Sequence, residues 1–296
     1  MESRVKHASH FKADLLMIIV TLIAAAGWIF SLKTMEVMPP LLFLGVRFLS
    51  AGLFVGLFGL MDFRQLTARQ IQKSLLTGAV MTVAMMCWMV ALHHATHVGV
   101  GAFISSLGMI LAPIMGMLMF RIHLPLQNWL ATGVATIGLA CLSLEHGLQL
   151  TLADTLFLVS AFGFAIQFNL NSRFSTGIPI ACLTAIQLSL TGAVSLLVGL
   201  TQETWPAHFG STTFAWLLAS IFIATSLRFF LQIKAQSLTP VKHAALIMTL
   251  EPVWTSLLAA WWLKDAMSRT QLLGCGLIFI ALVGGRISFG RKRKTA

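Results

Sequence analysis

The two halves of this 296-residue chain can be laid over each other, and the overlay runs through long hydrophobic segments. Residues 91–142 align with 234–285 without a gap at a constant offset of 143. At that offset Thr96 meets Thr239, Ala102 meets Ala245, Arg121 meets Lys264 and Gly133 meets Gly276. Nearer the N-terminus the offset is 140, so that Pro39 meets Pro179, Arg47 meets Gln187 and Gly52 meets Gly192. Such a chain builds one unit twice, and the two copies must then pack on each other.

The medium in which they pack follows from composition. Hydrophobic residues make up 57% of the chain, charged residues only 10%, and the mean hydropathy is +0.88. Soluble domains carry roughly 25% charged residues. A helix needs about 20 apolar residues to cross a hydrocarbon core some 30 Å thick. The sequence predicts ten such spans, at about 13–32, 39–60, 74–92, 98–119, 126–144, 152–171, 179–200, 212–233, 241–263 and 269–287. Each half holds five, and an odd number inserts the second copy upside down. The expected fold is an all-α integral membrane protein, ten transmembrane helices in two inverted five-helix repeats, residues 1–148 and 149–296. Leu15–Leu32 is too long for the h-region of a signal peptide, roughly 7–15 residues, and reads as the first span. Inverted repeats are the architecture of secondary transporters, with a substrate site near the midplane where the repeats meet.

The net charge of +11 is distributed as a topology signal rather than as a nucleic-acid footprint. With the N-terminus in the cytoplasm, fifteen of the twenty Lys and Arg residues fall on inside flanks and three (Lys33, Lys264, Arg269) outside. The remaining two, Arg47 and Arg228, lie within spans. The positive-inside rule then puts both termini in the cytoplasm, and the basic tail Arg291–Lys294 anchors the chain beside anionic lipid. The four cysteines (Cys87, Cys141, Cys182, Cys275) fall inside spans without CxxC spacing, which points to neither a disulfide framework nor a zinc site. HExxH, GxSxG, Walker A and GxGxxG signatures are missing, which argues against an enzyme or an ATP-driven pump, and no cofactor is implied. Gly52 and Gly56 in the second span let helix backbones approach closely; such spacing is a packing signal first, and monomer and homodimer both stay open.

Of nine acidic residues only Glu251 lies deep in a span, about ten residues from each end. A carboxylate at that depth needs a partner or a proton and is a candidate for function by default. Arg47 is expected at a similar depth, which suggests an Arg47–Glu251 pair at the repeat interface, either a structural tie or a substrate contact. The repeat counterparts of these residues are the neutral Gln187 and Gly108, so both charges are absent together from the related position. Arg228 is expected nearer the cytoplasmic end of its span. Gln167 and Gln187, on polar stripes with Thr184, Thr191, Ser195, Ser160 and Asn171, either line a cavity or hydrogen-bond between helices. Trp28, Trp88 and Trp254 lie deeper than the other tryptophans, and Trp254 is three residues from Glu251, hence expected on the same face. A carboxylate, an arginine and an aromatic wall suit a zwitterionic or aromatic metabolite. His93, His94 and His97 gather at a span end; their spacing could hold a metal on a helix, but a solvated loop cluster is the simpler reading, and no metal is expected.

Local motifs extend these readings. Pro40 followed by Arg47-Phe48, then Leu250-Glu251-Pro252-Val253, and Lys264-Asp265 thirteen residues after Pro252 resemble elements of the drug/metabolite transporter superfamily, EamA-like branch. The first half departs more, with Gly108-Met109 and Arg121-Ile122 at the matching places. The resemblance implies a multi-pass protein of a bacterial-type inner (plasma) membrane that exports amino acids or related small metabolites by alternating access. Proton coupling through Glu251 belongs to the same set of expectations. Import of a small metabolite, or a membrane interaction or sensor role without transport, are the alternatives.

Overall fold

A computed structural model describes residues 2–95, 98–121, 126–143, 151–263 and 268–291, and all its regular elements are helices. His97, the Lys264-Asp265 pair, the boundary at 148 and Lys292–Lys294 lie outside the described residues. In chain order the elements are α1 (Glu2–Met35), α2 (Pro40–Leu57), α3 (Leu60–Phe63), α4 (Ala68–His94), α5 (Val98–Phe120), α6 (Leu126–Ser143), α7 (Leu152–Phe174) and α8 (Ile180–Gln202). There follow α9 (Ser211–Ala219), a π-helical segment (Ser220–Leu227), α10 (Arg228–Leu238), α11 (Val241–Met248), α12 (Glu251–Leu263) and α13 (Arg269–Arg291). Among the described residues six helices are long and apolar enough to cross a membrane, the last of them the continuous rod Ser211–Leu238. Shorter apolar stretches occupy Ile104–Phe120, Trp129–Cys141 and Leu272–Ala281.

The helix starts obey local chemistry. Pro39 and Pro179, matched by the repeat, both stand at N-caps, of α2 and α8, where a missing N–H costs nothing. Thr67 and Thr151 form capping boxes with Gln70 and Asp154 at the heads of α4 and α7. Glu203, just past α8, accepts the free backbone N–H groups of Leu41 and Leu42, so a carboxylate seals the N-terminus of α2. Trp129, Trp205 and Trp261 are exposed on the outer surface.

Two elements depart from the expected spans. The ninth span, 241–263, is not one helix: the backbone breaks at Thr249–Leu250, between α11 and α12. Pro252 is the cause, since its ring has no N–H to give Met248 and would clash with that carbonyl. The eighth span extends to Leu238 rather than 233, and its centre is widened into the π segment. There the Thr225 and Ser226 hydroxyls donate to carbonyls five residues back, Ser220 and Ile221, following the π periodicity.

The seam between α2 and α8 carries the symmetry. A Cβ placed on Gly52 would lie 2.5 Å from the Ser189 nitrogen, and one on Gly192 would lie 2.5 Å from Leu49 Cα. Moving Gly52 up and Ser189 down by 140 turns the first contact into the second. The same holds for Gly45 against Leu196 with Gly56 against Ala185, and for Gly59 against Cys182 with Gly199 against Leu42. Along the seam one number rises as the other falls, so the two helices are antiparallel and related by a two-fold axis across them, the isologous pattern of a symmetric interface. α6 and α13 pack in the same manner, with Gly138 against Gly274 and the alanines 131 and 135 clustered with Ala281. The first helix of each half also crosses over. α1 packs on α10, α11 and α12, while α7 packs on α4 and α5.

Candidate functional site

A cavity of about 110 Å³ lies between the halves. The first half supplies Gly27, Trp28 and Ser31 from α1, Arg47 and Phe48 from α2, Met81, Met85, Trp88 and Met89 from α4, and Ser105, Ser106 and Met109 from α5. Phe164 and Gln167 enter from α7; Ala224, Arg228, Phe229, Gln232, Met248 and Glu251 complete the wall. Trp28 and Trp88 meet edge to face with centroids 4.8 Å apart, an arrangement that fixes both rings. Of the residues singled out by sequence, the cavity gathers Glu251, Arg47, Arg228, Trp28, Trp88 and Gln167.

The charges pair differently from the expected Arg47–Glu251 contact. Arg47 is 7% exposed, and its Nε donates to Thr225 Oγ1 of the π segment. Its Nη1 donates to Ser31 Oγ at 2.8 Å and its Nη2 to the Ala224 carbonyl at 3.4 Å. Glu251 faces Arg228, with Nη2 to Oε2 at 3.7 Å, and its Oε1 accepts the Trp28 indole N–H at 3.1 Å. The physical reason is helix length. Because α10 runs to Leu238, Arg228 stands as far from that end as Glu251 stands from Val241, so their depths match. A span ending at 233 would leave Arg228 nearer the surface than the helix that runs on to Leu238.

The expectation for Trp254 is corrected, and of the two readings of Gln187 the interhelical one is observed. Trp254 does not line the cavity: its indole N–H donates to Thr21 Oγ1 at 3.1 Å and its ring packs on Phe279. Three residues turn a helix about 300°, so Trp254 is some 60° off the Glu251 direction. Gln187 is also outside the cavity lining. It is 1% exposed, accepts from Gln167 Nε2 at 3.0 Å, and donates to Asn171 Oδ1 at 2.8 Å. That chain ties α7 to α8, the interhelical reading of the polar stripe. Thr191 does the same toward α4, its hydroxyl 3.1 Å from that of Thr82. His93 and His94 stack edge to face at the end of α4.

The repeat makes the two arginines unlike. Arg47 bonds Ser31; adding 140 to both gives Gln187 and Asn171, which also bond. An uncharged glutamine thus makes the corresponding bridge in the other half. The register extends to the cavity wall, because Ala224 beside Gly27 matches Met81 beside Gln167. Subtracting 143 then pairs Arg228 with Met85, Gln232 with Met89 and Glu251 with Gly108, where α5 lies against the Ala161 carbonyl. One wall is charged and polar; its symmetry mate is built of thioethers. The spacing of Met81, Met85 and Met89, four apart, and of Arg228 and Gln232 was legible in the sequence as two helix faces, but nothing there said that they face one cavity.

The EamA-like transporter family model matches this chain twice, over residues 11–144 and 151–284. The chain belongs to the EamA-like transporter family, and so to the drug/metabolite transporter superfamily, and it is a multi-pass membrane protein. No curated protein matches the sequence. A protein of known crystal structure, 16% identical, superposes with a TM-score of 0.80 over 94% of this chain and 98% of its own, a likeness of fold.

Proposed function

We propose that this protein is a secondary transporter of the inner membrane, with ten spans in two inverted five-helix repeats and cytoplasmic termini, that exports amino acids or related small metabolites by alternating access. The carrying observation is the cavity that holds Arg47, Arg228 and Glu251 and takes one wall from each half. Buried charge in a bundle of apolar helices is expensive and marks solute pathways. The antiparallel, two-fold contact of α2 with α8 supports the inverted topology, because such an axis lies in the plane of a membrane that both helices cross. The π segment and the Thr249–Leu250 break support the moving part. They adjoin Arg228 and Glu251 respectively, so the second half can bend at the two residues that carry its charge.

The test is accumulation in intact cells. Cells expressing the wild type are expected to hold less of an exported amino acid or its toxic analogue than cells carrying Glu251→Gln at equal membrane abundance. Equal accumulation of every amino acid and analogue tested would refute export.

A further inference from the structure

We infer that the cavity is a receptor for a small carboxylate with an apolar body, whose carboxylate takes Arg228 from Glu251 while the body lies on the methionine wall. This rests on the transport reading above and names the substrate class of the same site.

The two guanidinium groups differ in what they have left to give. Arg47 has donors committed to Thr225, Ser31 and the Ala224 carbonyl, and its repeat mate shows that this bridge needs no charge. Arg228 lies over the Phe229 ring, 4.5 Å from its centroid, but its hydrogen-bonding capacity is under-used. Its approach to Glu251 at 3.7 Å is longer than a hydrogen bond, and its Nε is buried with no hydrogen-bond partner among the described residues. Nε and an adjacent Nη form the fork edge that takes a carboxylate side-on with two parallel bonds. One turn along the same helix face, Gln232 is 3% exposed and its Oε1 is also buried without a partner among the described residues. Buried polar atoms are normally satisfied: a carboxylate would complete the Arg228 Nε–H, while the Gln232 oxygen, an acceptor, would be completed only by a donor on the ligand such as an ammonium.

Charge and shape agree on the ligand. Arg47 and Arg228 outnumber Glu251 in the lining, so the site carries one excess positive charge and favours an anionic group. Opposite them, Met81, Met85 and Met89 offer unbranched thioethers that adapt to an aliphatic or aromatic body. Once the carboxylate holds Arg228, the Glu251 carboxylate is released toward the cavity. An α-ammonium group could occupy it, so the carboxylate can come from an amino acid or from a simple organic acid.

Three probes of one body separate the cases: leucine, 4-methylpentanoate, and leucinamide, which lacks the carboxylate. Purified wild type is tested with each by thermal unfolding and by flux into proteoliposomes. One or both carboxylates are expected to stabilise the protein, and leucinamide is not. Leucine alone would assign an ammonium to Glu251; 4-methylpentanoate binding as well would assign the carboxylate only. Arg228→Gln should weaken the response by about ten- to a hundred-fold, the loss expected for a charge-assisted, forked contact. Arg228→Lys, which keeps the charge without the fork, should fall between. Each variant must elute as a folded monodisperse species, and Met85→Leu serves as a second variant that alters the apolar wall alone. Equal stabilisation by leucinamide, an unchanged response in Arg228→Gln, or no response to either carboxylate by folded wild type would overturn the inference. Binding without flux would refute transport and leave the site standing; flux of leucinamide would do the reverse.

Discussion

Replacing Gly192 by alanine tests the seam on which the whole arrangement turns. The new Cβ would lie 2.5 Å from Leu49 Cα, where carbon atoms in ordinary contact keep roughly 3.5–4.0 Å. Backbone cannot rotate out of the way as a side chain can, so α2 and α8 must part by about 1 Å. Overpacking of this kind costs about 1–3 kcal/mol. Helices in a membrane have no hydrophobic drive to press them back together, which leaves that cost without an offset. Gly52→Ala meets the Ser189 nitrogen at 2.5 Å and should cost a similar amount, because the two positions are exchanged by the two-fold axis. One parting of the helices makes room for both methyl groups. The double variant should therefore be less destabilised than the two singles added together, by on the order of 1 kcal/mol. Gly133 and Gly276, also a matched pair, have nothing within 4 Å of an added Cβ. Alanine at either should stabilise its helix by about 0.5–1 kcal/mol. Equilibrium unfolding by SDS in mixed micelles, followed by tryptophan fluorescence and circular dichroism, measures all five variants. The reasoning is refuted if Gly192→Ala lies within about 0.5 kcal/mol of wild type, if Gly133→Ala costs as much, or if the double variant is additive.

Arg47→Met should lower stability by at least about 1.5–3 kcal/mol, since it strips the charge-assisted donors from Thr225 and Ser31; the same titration reads it. Asp14 on α1 and His243 on α11 form a buried contact of 2.7 Å that joins the two halves. Asp14→Asn and His243→Gln should each cost about 1.5–3 kcal/mol, the range for a hydrogen bond to a charged group, with the double variant short of their sum, which a double-mutant cycle in micelles tests. Glu203→Ala uncaps α2 and should cost about 0.5–2 kcal/mol, with increased amide exchange confined to Leu41 and Leu42 at the helix start.

The duplication was legible because it is written in residues with restricted backbone roles. Pro39 and Pro179 became matching N-caps; Gly52 and Gly192 became matching close approaches. Depth in the bilayer was read less well, because counting 1.5 Å per residue assumes a straight, unbroken helix with known ends. The π segment and the extra turn to Leu238 both violate that assumption, and they are what bring Arg228 rather than Arg47 to Glu251. Pro252 announced the break between α11 and α12, whereas no residue pattern announces a π turn. Gln187 was readable as a polar residue on a polar stripe, but its partners come from α7 and depend on how two helices rotate against each other.

The crossing of α1 has a consequence for biogenesis. α1 leaves the ribosome well before the surfaces that cover it, which belong to α10, α11 and α12, about 200 residues further along the chain. Until then its inward face, with Thr21 and Trp28, has neither Trp254 nor Glu251 to bond. The nascent first half must wait in the bilayer with a strand of its interior turned toward lipid or toward the insertion machinery. α7 has no such delay, because α4 and α5 are already in place when it emerges. Assembly is therefore lopsided in time although the two halves are related by symmetry, and helices of the second half lock one made long before them.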